Sequence, residues 1–274
     1  MMVKVSKGQL WRVIDMFNFD KNWNLQPIKG DTGKAYKGMK ENERVFIKRN
    51  STPFLAALSR EGLTPKLLWT KRTSNGDILT AQEWLEGRQL EVDELPESED
   101  VAHMLRYLHQ SESLKSMLKR MDGAEKSVFD FLKDYITDLP KELKNDDYLM
   151  RIFRYLENHL PSYASVEFVA CHGDAIHNNW MLASNGELYL VDWDYSVLAD
   201  PAYDLGTILG QYVSREDWPN WLEMYGIQVD DEVLERINWY AGMNLLQQIK
   251  RSYYREEYKQ MSNYVSLLKK LYEV

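Results

Sequence analysis

The residues best suited to chemistry lie in one stretch near the middle of the chain. Asp174 follows His172-Gly173 at the end of an apolar run, and Asn179 comes later on the same loop. Asp192 follows a second apolar run, Leu188-Tyr189-Leu190-Val191. Phosphoryl transfer needs one carboxylate that orients a hydroxyl, together with oxygen ligands that hold Mg²⁺ against a nucleotide. These residue types and their order predict such a centre, with Asp174 as the catalytic carboxylate.

The metal ligands of this centre are predicted to be Asn179 and Asp192. Magnesium prefers hard oxygen ligands and usually takes one or two carboxylates plus phosphate oxygens. Asp194 follows just beyond Asp192 on the same loop. It is a further ligand, a substrate contact or a solvated loop acid, and the sequence does not choose among these.

Two histidines flank the catalytic carboxylate in sequence. His172 is a candidate catalytic base, but its place just before the Gly-Asp turn favours a structural brace, because ring nitrogens commonly hold loops. His177 could reach a phosphate or the substrate, and lining the loop is an equal alternative. Asp204 opens a later helix, where a carboxylate suits the helix dipole. We expect Asp204 to brace the catalytic loop.

Composition and charge exclude several classes of partner. The net charge of −8 disfavours nucleic acid and anionic membranes as main partners, because both attract basic surfaces. The single cysteine excludes an internal disulfide and fits a reducing compartment. Residues 1–20 lack a signal-peptide core, and no uncharged apolar run is long enough to span a bilayer. We therefore expect a cytoplasmic protein without membrane insertion.

Hydrophobic periodicity predicts a small β-rich lobe followed by a larger helical lobe. Short apolar runs between turn residues indicate strands at Ala35–Met39, Arg44–Lys48, Leu67–Thr70 and Ile78–Glu83. Pro53–Glu61 is predicted to be a short helix, since Pro suits a first turn and Gly62 the position after the last turn. The predicted fold class is α+β with two lobes, residues 1–86 and residues 87–274.

Helical periods begin after Gly87. Apolar stripes predict helices around residues 101–108, 128–136 and 149–160. Two long helices are expected at Asp231–Tyr254 and Arg255–Tyr272. Strands are predicted around the central motif at Val166–Ala170, Trp180–Leu182 and Glu187–Val191. The motif residues would then lie on loops at the ends of strands.

A nucleotide site is predicted in the β-rich lobe. Lys48 ends a strand beneath a glycine-containing loop, which is the expected place for a lysine that binds nucleotide phosphates. The loop lacks a complete Gly-x-Gly-x-x-Gly pattern and is a weak signal by itself. Backbone groups where the lobes join could bind an adenine edge. The predicted cofactor is ATP, with binding residues Gly30, Thr32, Gly33, Lys48, Glu83, Trp84 and Leu85.

Three blocks, residues 172–179, 191–195 and 200–205, resemble the aminoglycoside phosphotransferase and choline/ethanolamine kinase superfamily. The resemblance runs over most of the chain and implies the two-lobed protein-kinase-like fold. It further implies a kinase that uses ATP and Mg²⁺. The implied roles are catalysis for Asp174, metal binding for Asn179 and Asp192, phosphate binding for Lys48 and adenine binding for Glu83–Leu85.

Within that superfamily, Phe54–Leu58, Pro65–Leu67 and the block from Gly173 to Leu209 are similar to the CcrZ (YtmP-like) group of bacterial cell-cycle regulators. This resemblance implies ribose or 2-deoxyribose as acceptor and the division protein FtsZ as a partner. The chain departs from the superfamily where a helix Glu normally pairs with the strand lysine. Glu61 comes at the end of the short helix, so Lys48 is expected to lack that partner or to take another.

Three functions remain open at the level of sequence. The first is a kinase acting on a hydroxyl of a small neutral sugar, which amides on a later helix (Asn244, Gln247 and Gln248) would suit. The second is a choline or ethanolamine kinase, because aromatic side chains near the motif could bind a cation. The third is a kinase-like regulatory binding module, which the intact catalytic set disfavours. Candidate acceptor contacts are Asp194, His177, Trp193, Tyr195 and Trp239, but for any single aromatic residue among them core packing is the favoured interpretation.

Overall fold

The computed structural model describes residues 23–28, 35–41, 43–121, 123, 125–162 and 166–272. Contacts within the chain divide it into two compact units. The first unit contains the chain up to Arg88 and Leu182–Asp194, and the second contains Gln89–Met181 and the chain from Tyr195 onward. Within the described ranges, no helix has both the length and the apolar character needed to cross a membrane.

Within the described residues, the first unit contains an antiparallel sheet of five strands. The strands are β1 (Asn24–Pro27), β2 (Ala35–Lys40), β3 (Glu43–Arg49), β4 (Leu67–Arg72) and β5 (Ile78–Glu83). Their spatial order is β1-β2-β3-β5-β4. The alternation of side chains along a strand buries Val45 and Ile47 of β3 together with Tyr36, Leu79 and Ala81 of the neighbouring strands. The four strands predicted here are observed, with ends within two residues of the prediction.

A short helix, α1 (Phe54–Arg60), follows β3. Pro53 occupies its N-cap position, where the absent N–H costs nothing, and Glu61 occupies its C-cap. Gly62 then adopts a φ of 76°, which ends the helix. The predicted helix Pro53–Glu61 is therefore confirmed apart from its two capping residues.

Five short strands build the rest of the β structure: β6 (Gly87–Gln89), β7 (Val169–Cys171), β8 (Trp180–Ala183), β9 (Leu188–Leu190) and β10 (Val197–Ala199). β7 pairs with β10, and β6, β8 and β9 form a three-stranded sheet. Val166–Ala170 was predicted to be a strand, but the strand observed is Val169–Cys171. The reason is its partner: β10 offers three residues, so only three residues can pair.

The segment after Met181 packs with the first unit rather than with the helices that surround it in sequence. The backbone N–H of Leu190 donates to the carbonyl of Leu63 (2.9 Å), and the rings of Trp193 and Phe54 meet edge to face. The predicted division at residues 86 and 87 lies close to Arg88. The prediction did not place Leu182–Asp194 in the first unit. This segment gives the first unit two acidic residues of the central motif, Asp192 and Asp194.

Helices dominate the second unit: α2 (Glu99–Gln110), α3 (Glu112–Arg120), α4 (Val128–Ile136), α5 (Lys141–Lys144), α6 (Asp147–Asn158), α7 (Ala202–Tyr212), α8 (Trp218–Tyr225), α9 (Asp231–Tyr254) and α10 (Tyr258–Tyr272). Most residues of the predicted stripes are buried, for example Val101, Leu105 and Leu108 on α2, whereas Ile136 at the end of α4 is exposed. α10 begins three residues later than predicted, because Glu256 takes a left-handed φ of 58° after α9.

α7 and α9 approach each other closely, and this contact positions the helix faces near the catalytic loop. A Cβ atom on Gly206 of α7 would lie 2.7 Å from the backbone nitrogen of Ala241 on α9. Glycine at this position therefore lets the two backbones meet. Buried Asn244 of α9 donates from Nδ2 to the carbonyl of Tyr203 and to Oγ1 of Thr207, both at 2.8 Å. These bonds fix the rotation of α9 relative to α7.

Candidate active site

The catalytic loop turns at a glycine that no larger residue can replace without a shift. β7 ends at Cys171, and Gly173 has a φ of 81°, in the region that favours glycine. A Cβ atom on Gly173 would lie 2.2 Å from the carbonyl oxygen of Tyr195. The hydroxyl of Tyr203 also donates to the carbonyl of Gly173 (3.0 Å). Tyr195 and Tyr203 therefore both contact the turn at Gly173, and Asp174 is the next residue along the chain.

Asp204 braces this turn from the first turn of α7. Its carboxylate is fully buried and accepts the backbone N–H of His172 (2.7 Å) and of Gly173 (2.9 Å). His109 contacts the same carboxylate through Nε2 (3.1 Å), and its Nδ1 lies 2.8 Å from the hydroxyl of Tyr225. The bracing role predicted for Asp204 is therefore observed, and a buried chain of hydrogen bonds extends it to α2 and α8.

The surroundings of Asp204 keep this carboxylate ionised. Burial by itself would raise its pKa, since a charged group loses its water. The hydrogen bond from His109 and the N–H of Gly173 outweigh burial, and the pKa of Asp204 lies below its ordinary value. The loop is consequently held by a charged acceptor, and hydrogen bonds to charged groups are stronger than neutral ones.

The carboxylate of Asp174 is oriented by side chains of α9. Its Oδ1 accepts from the guanidinium of Arg251 (2.9 Å) and from Nε2 of Gln248 (3.0 Å). Its backbone N–H donates to Nδ1 of His172 (3.2 Å). Its Oδ2 lies at a longer distance of 3.5 Å from the amide nitrogen of Asn179. One oxygen is thus held by two donors, and the other is the better placed to accept a hydroxyl proton.

Arg251 is a site residue that the sequence prediction missed. Its guanidinium contacts Asp174 and lies 4.1 Å from the ring centroid of Tyr195. Burial would lower its pKa, but the charge of Asp174, with Tyr203 and Tyr195, raises it instead, so the side chain stays cationic. Gln248 and Arg251 lie three residues apart and therefore share one helix face. That spacing could have placed Arg251 beside the amide already considered for the acceptor.

Asn179 is placed by a short 3₁₀ turn, His177–Asn179, that follows the catalytic loop. Its side chain is buried, and Nδ2 donates to the backbone carbonyl of Asp174 (2.8 Å). The amide nitrogen is therefore used to hold the loop. The amide oxygen is the atom with the chemistry of a magnesium ligand.

The two histidines have bracing contacts in the structure. His172 is completely buried, and its Nδ1 accepts the N–H of Asp174. These contacts and the complete burial of the side chain agree with the bracing role that the sequence favours for His172, and its candidate role as a catalytic base stays an untested prediction. The backbone N–H of His177 donates to the hydroxyl of Tyr212 (3.1 Å), and the ring nitrogen Nδ1 lies 3.2 Å from it. Partial burial lowers the pKa of His177.

A second charged cluster lies in the first unit, where Lys48 bridges two carboxylates. Its Nζ lies 2.7 Å from Oδ1 of Asp192 and 2.9 Å from Oδ1 of Asp194. Burial would lower the pKa of Lys48, but its hydrogen bonds and charge interactions with both carboxylates raise it. In the described chain Lys48 therefore pairs with Asp192 and Asp194 in place of the usual helix Glu. The Oε1 atom of Glu61 lies 3.7 Å from a guanidinium nitrogen of Arg60.

The backbone at Asp192 is left-handed, with a φ of 65°. Asp tolerates this region better than most residues, but it still carries a cost in free energy. The conformation follows Leu190 of β9, which is anchored to the sheet unit, and precedes the 3₁₀ turn Trp193–Tyr195. Such outliers persist where the surroundings hold them and are found at functional sites, which makes Asp192 a functional candidate.

Each unit, taken by itself, offers donors of the kind that magnesium binds. Carboxylates and amide oxygens are the hard ligands that Mg²⁺ takes in proteins. Asp192 and Asp194 converge on a single cation, since Lys48 Nζ lies within 3 Å of both. Asn179 supplies an amide oxygen in the second unit. The residues present therefore match the chemistry of the metal that the sequence predicts.

The structure describes only some of the residues predicted to bind the nucleotide. Gly30, Thr32 and Gly33 lie outside the described residues. Glu83 ends β5 and its backbone N–H donates to the carbonyl of Lys66 (2.9 Å). Trp84 follows it half-buried, with Lys37 Nζ 4.5 Å from its ring centroid. Glu83, Trp84 and Leu85 thus lie at the end of the sheet, close in sequence to the end of the first unit, and their adenine role stays a prediction.

Two aromatic residues predicted to contact the acceptor are core residues instead. Trp193 and Trp239 are each 3% exposed. The indole N–H of Trp193 donates to Leu190 O, and that of Trp239 to Leu156 O. Indole groups need such partners when buried, and both side chains are fully used by packing. Tyr195, at 42% exposure, is accessible.

A comparison with protein-family models decides the classification. Residues 48–240 match the model of the phosphotransferase enzyme family, and this range covers more than half of the chain. The chain belongs to the phosphotransferase enzyme family. The enzyme class predicted from the sequence, a small-molecule phosphotransferase, is confirmed at this level, and both Lys48 and the catalytic loop lie inside the matched range.

Several known proteins resemble this phosphotransferase. A 56-residue segment is 39% identical to protein LicA of Haemophilus influenzae, and covers 20% of this chain and 21% of that protein. The match thus spans about a fifth of the curated relative. The choline kinase LicA from Streptococcus pneumoniae matches in structure with a TM-score of 0.70 at 18% identity, over 98% of this chain and 99% of that one.

Two further structures have the same fold. An ethanolamine kinase of Plasmodium vivax gives a TM-score of 0.68 at 16% identity, over 97% of this chain and 89% of that one. A spectinomycin phosphotransferase, solved with ADP and spectinomycin, gives 0.64 at 13% identity and covers 99% of both chains. At these identities the similarity establishes the fold. The predicted two-lobed α+β class is confirmed.

Proposed function

We propose that this phosphotransferase is an ATP- and Mg²⁺-dependent kinase that transfers the γ-phosphate to a hydroxyl of a small neutral sugar of the ribose or 2-deoxyribose type. The observation that carries the proposal is the carboxylate of Asp174, which is fixed at a strand end and held at one oxygen by two donors. Family membership supports the reaction class. Relatives of the same fold were solved with AMP and with ADP, which supports a nucleotide cofactor.

The proposed reaction assigns the proton to Asp174. The acceptor O–H bond breaks and its proton passes to Oδ2, while the acceptor oxygen forms a bond to the γ-phosphorus. The bond from that phosphorus to the bridging oxygen breaks, and ADP leaves with the electron pair. Because phosphoryl transfer needs mainly positioning and charge stabilisation, the fixed orientation of Asp174 is the main contribution of the second unit.

The first unit would supply the phosphate-binding charges. Mg²⁺, when bound, neutralises charge on the phosphate oxygens. Within this unit, Asp192 and Asp194 would hold the metal, and Asn179 stays the further ligand predicted from the sequence. The ammonium group of Lys48 is cationic and pairs with Asp192 and Asp194. In the nucleotide complex, phosphate oxygens would compete with these carboxylates and bind the ammonium group.

The neutral-sugar acceptor is favoured by the polar groups next to Asp174. Gln248 and Arg251 donate hydrogen bonds there, and donors of this kind suit the oxygen atoms of a polyol. Trp193 and Trp239 are committed to the core, so they are lost as walls of a cation site. The alternative acceptor is choline or ethanolamine, which the short match to LicA and the fold of the choline kinase favour.

A cell-cycle role and binding to FtsZ follow from the resemblance alone and stay predictions. Pull-down of purified FtsZ on the immobilised full chain tests them separately from catalysis. A kinase-like binding module would bind FtsZ without catalysis. Its Asp174→Ala variant would therefore retain FtsZ binding.

The kinase proposal is tested by ADP release over a panel of neutral sugars and amino alcohols, with ATP and Mg²⁺. We expect a neutral sugar to stimulate turnover, and Asp174→Ala to reduce kcat by about 10²- to 10⁴-fold, the range for loss of a general base. Circular dichroism of the variant checks the fold. Acceptor-independent ADP release at the level of Asp174→Ala for the whole panel contradicts the proposal.

A further inference from the structure

We propose that Arg251 determines the charge of the acceptor: it disfavours acceptors that carry a cation beside the reacting hydroxyl and admits neutral ones. The inference rests on the proposed kinase function and goes beyond it by assigning selectivity to one side chain. That side chain contacts Asp174, the group on which any acceptor hydroxyl must converge.

The guanidinium of Arg251 is held in place by contacts on several sides. Its NH1 donates to Asp174 Oδ1 (2.9 Å), and the group lies 4.1 Å from the centroid of the Tyr195 ring. The side chain is 23% exposed. Its helix, α9, is fixed against α7 by the two hydrogen bonds of Asn244. An acceptor therefore meets a positioned cation rather than a mobile one.

This cation removes the attraction that Asp174 would otherwise offer to an ammonium group. An unpaired carboxylate attracts cationic acceptors. The positive charge of Arg251 cancels the field of the Asp174 carboxylate at the position of a substituent next to the reacting hydroxyl. The cationic nitrogen of an amino alcohol lies one short carbon chain from its hydroxyl. At about 7 Å and an effective dielectric constant of about 20, the change in electrostatic energy corresponds to roughly tenfold or more in affinity.

A cation site would also need aromatic faces, and the nearby aromatic residues do not offer them. Tyr195 is accessible, but one face of its ring already lies against Arg251. Trp193 and Trp239 are buried with their indole N–H groups paired. Of the aromatic residues predicted to contact the acceptor, Tyr195 is therefore the accessible one, and its ring already contacts the guanidinium of Arg251.

Steady-state kinetics on the full chain test this inference with two matched acceptor classes. D-ribose and glycerol represent neutral acceptors, and ethanolamine and choline represent cationic ones. We expect Arg251→Gln to raise the ratio of kcat/KM for cationic over neutral acceptors by about tenfold or more. Arg251→Lys keeps the charge and should leave the ratio near that of the unchanged protein, even where it lowers kcat.

The control is Arg154→Gln, the same substitution at an exposed position of α6 in the same unit. It should leave the ratio unchanged. A ratio that rises equally in Arg154→Gln, or that stays constant in Arg251→Gln, overturns the inference. Should Arg251→Gln lose turnover, isothermal titration calorimetry of ribose and ethanolamine gives the same ratio from binding constants, so the outcome remains decisive.

The failure of the selectivity assignment can be told apart from the failure of the kinase proposal. If the unchanged protein turns over no acceptor above the Asp174→Ala background, the kinase function is wrong. If it turns over choline or ethanolamine more efficiently than any neutral acceptor, the protein is a kinase and the role assigned to Arg251 is wrong.

Discussion

The two charged clusters of this phosphotransferase differ in how firmly the protein holds them. In the second unit, Asp174 is braced through its side chain by Gln248 and Arg251 and through its backbone by His172. Asp204 holds the same turn from a fully buried position. In the first unit, Lys48 pairs with carboxylates whose side chains are 47% and 31% exposed, and salt bridges at such exposure contribute little to stability.

This difference corresponds to different demands on the two clusters. A group that takes a proton in the transition state works best when it needs no reorganisation, and the firmly held Asp174 suits the role of proton acceptor that we propose for it. Charges that must exchange partners whenever a nucleotide and metal bind work best when their own contacts are weak. We therefore expect mutations in the second cluster to affect stability and kcat, and mutations in the first to affect nucleotide and metal binding.

The largest effect on stability is expected for Asp204→Asn. The variant loses a buried charge that accepts two backbone N–H groups and pairs with His109, so the free energy of unfolding should fall by about 3 kcal/mol. Because the pKa of Asp204 is lowered in the folded state, this stability is present above the unfolded pKa of about 4 and is lost as the pH falls through the folded pKa.

Urea unfolding of both proteins between about pH 3 and pH 7 measures this effect. The difference between the two should be constant near neutral pH and shrink in acid. Asp231→Asn, at an exposed position in the first turn of α9, is the matched control. Equal losses in Asp204→Asn and Asp231→Asn would show that the brace does not hold the loop.

Asp192→Asn sharpens the comparison from the other cluster. The folded protein should be nearly as stable as before, since Asp192 is half-exposed. Magnesium-dependent affinity for ATP should fall by on the order of a hundredfold, because the variant loses the carboxylate that we propose as a ligand of the metal. Calorimetric titration with ATP at several Mg²⁺ concentrations measures it.

Glu187→Gln, at an exposed acid just before β9, is the control for Asp192→Asn. It should leave nucleotide affinity unchanged. A large loss of stability in Asp192→Asn with unchanged ATP affinity would mean that the first cluster is structural, and the contrast between the two units would disappear.

The smallest effect is expected for Gln248→Met, which removes one of the two donors to Asp174 Oδ1 while keeping the size of the side chain. Loss of one such hydrogen bond is worth about 1 kcal/mol, or about fivefold in kcat. The acceptor KM should change less. Gln247→Met, its neighbour on α9, is the control, because its Nε2 points to the carbonyl of Phe131 instead.

Much of the fold could be predicted from the sequence because it is encoded locally. The strands β2 to β5 and the helix α9 follow from alternation, helical period and turn residues, which act within a few positions. The ends that were missed depend on distant partners. β7 is short because β10 is short, and α10 starts late because Glu256 adopts a left-handed conformation.

The candidate site divides in the same way. Asp174, Asn179 and Asp192 were predicted because loops at strand ends place such residues at fixed spacing, and their catalytic and metal-binding roles stay predictions. The core positions of Trp193 and Trp239 had to come from the structure, because sequence does not distinguish an aromatic wall of a pocket from an aromatic core residue. The grouping of Leu182–Asp194 with the first unit also could not be read from sequence, since it depends on bonds such as Leu190 to Leu63.

The sequence by itself determined the reaction class, because a phosphoryl-transfer centre needs a few residue types in an order that one loop and one strand can carry. Only the tertiary structure decided what surrounds that centre. Arg251 is seventy-seven residues from Asp174 along the chain and reaches it through the packing of α9 on α7. Contacts of this range depend on how helices meet, which no local pattern specifies, and they include the side chain that we propose selects the acceptor.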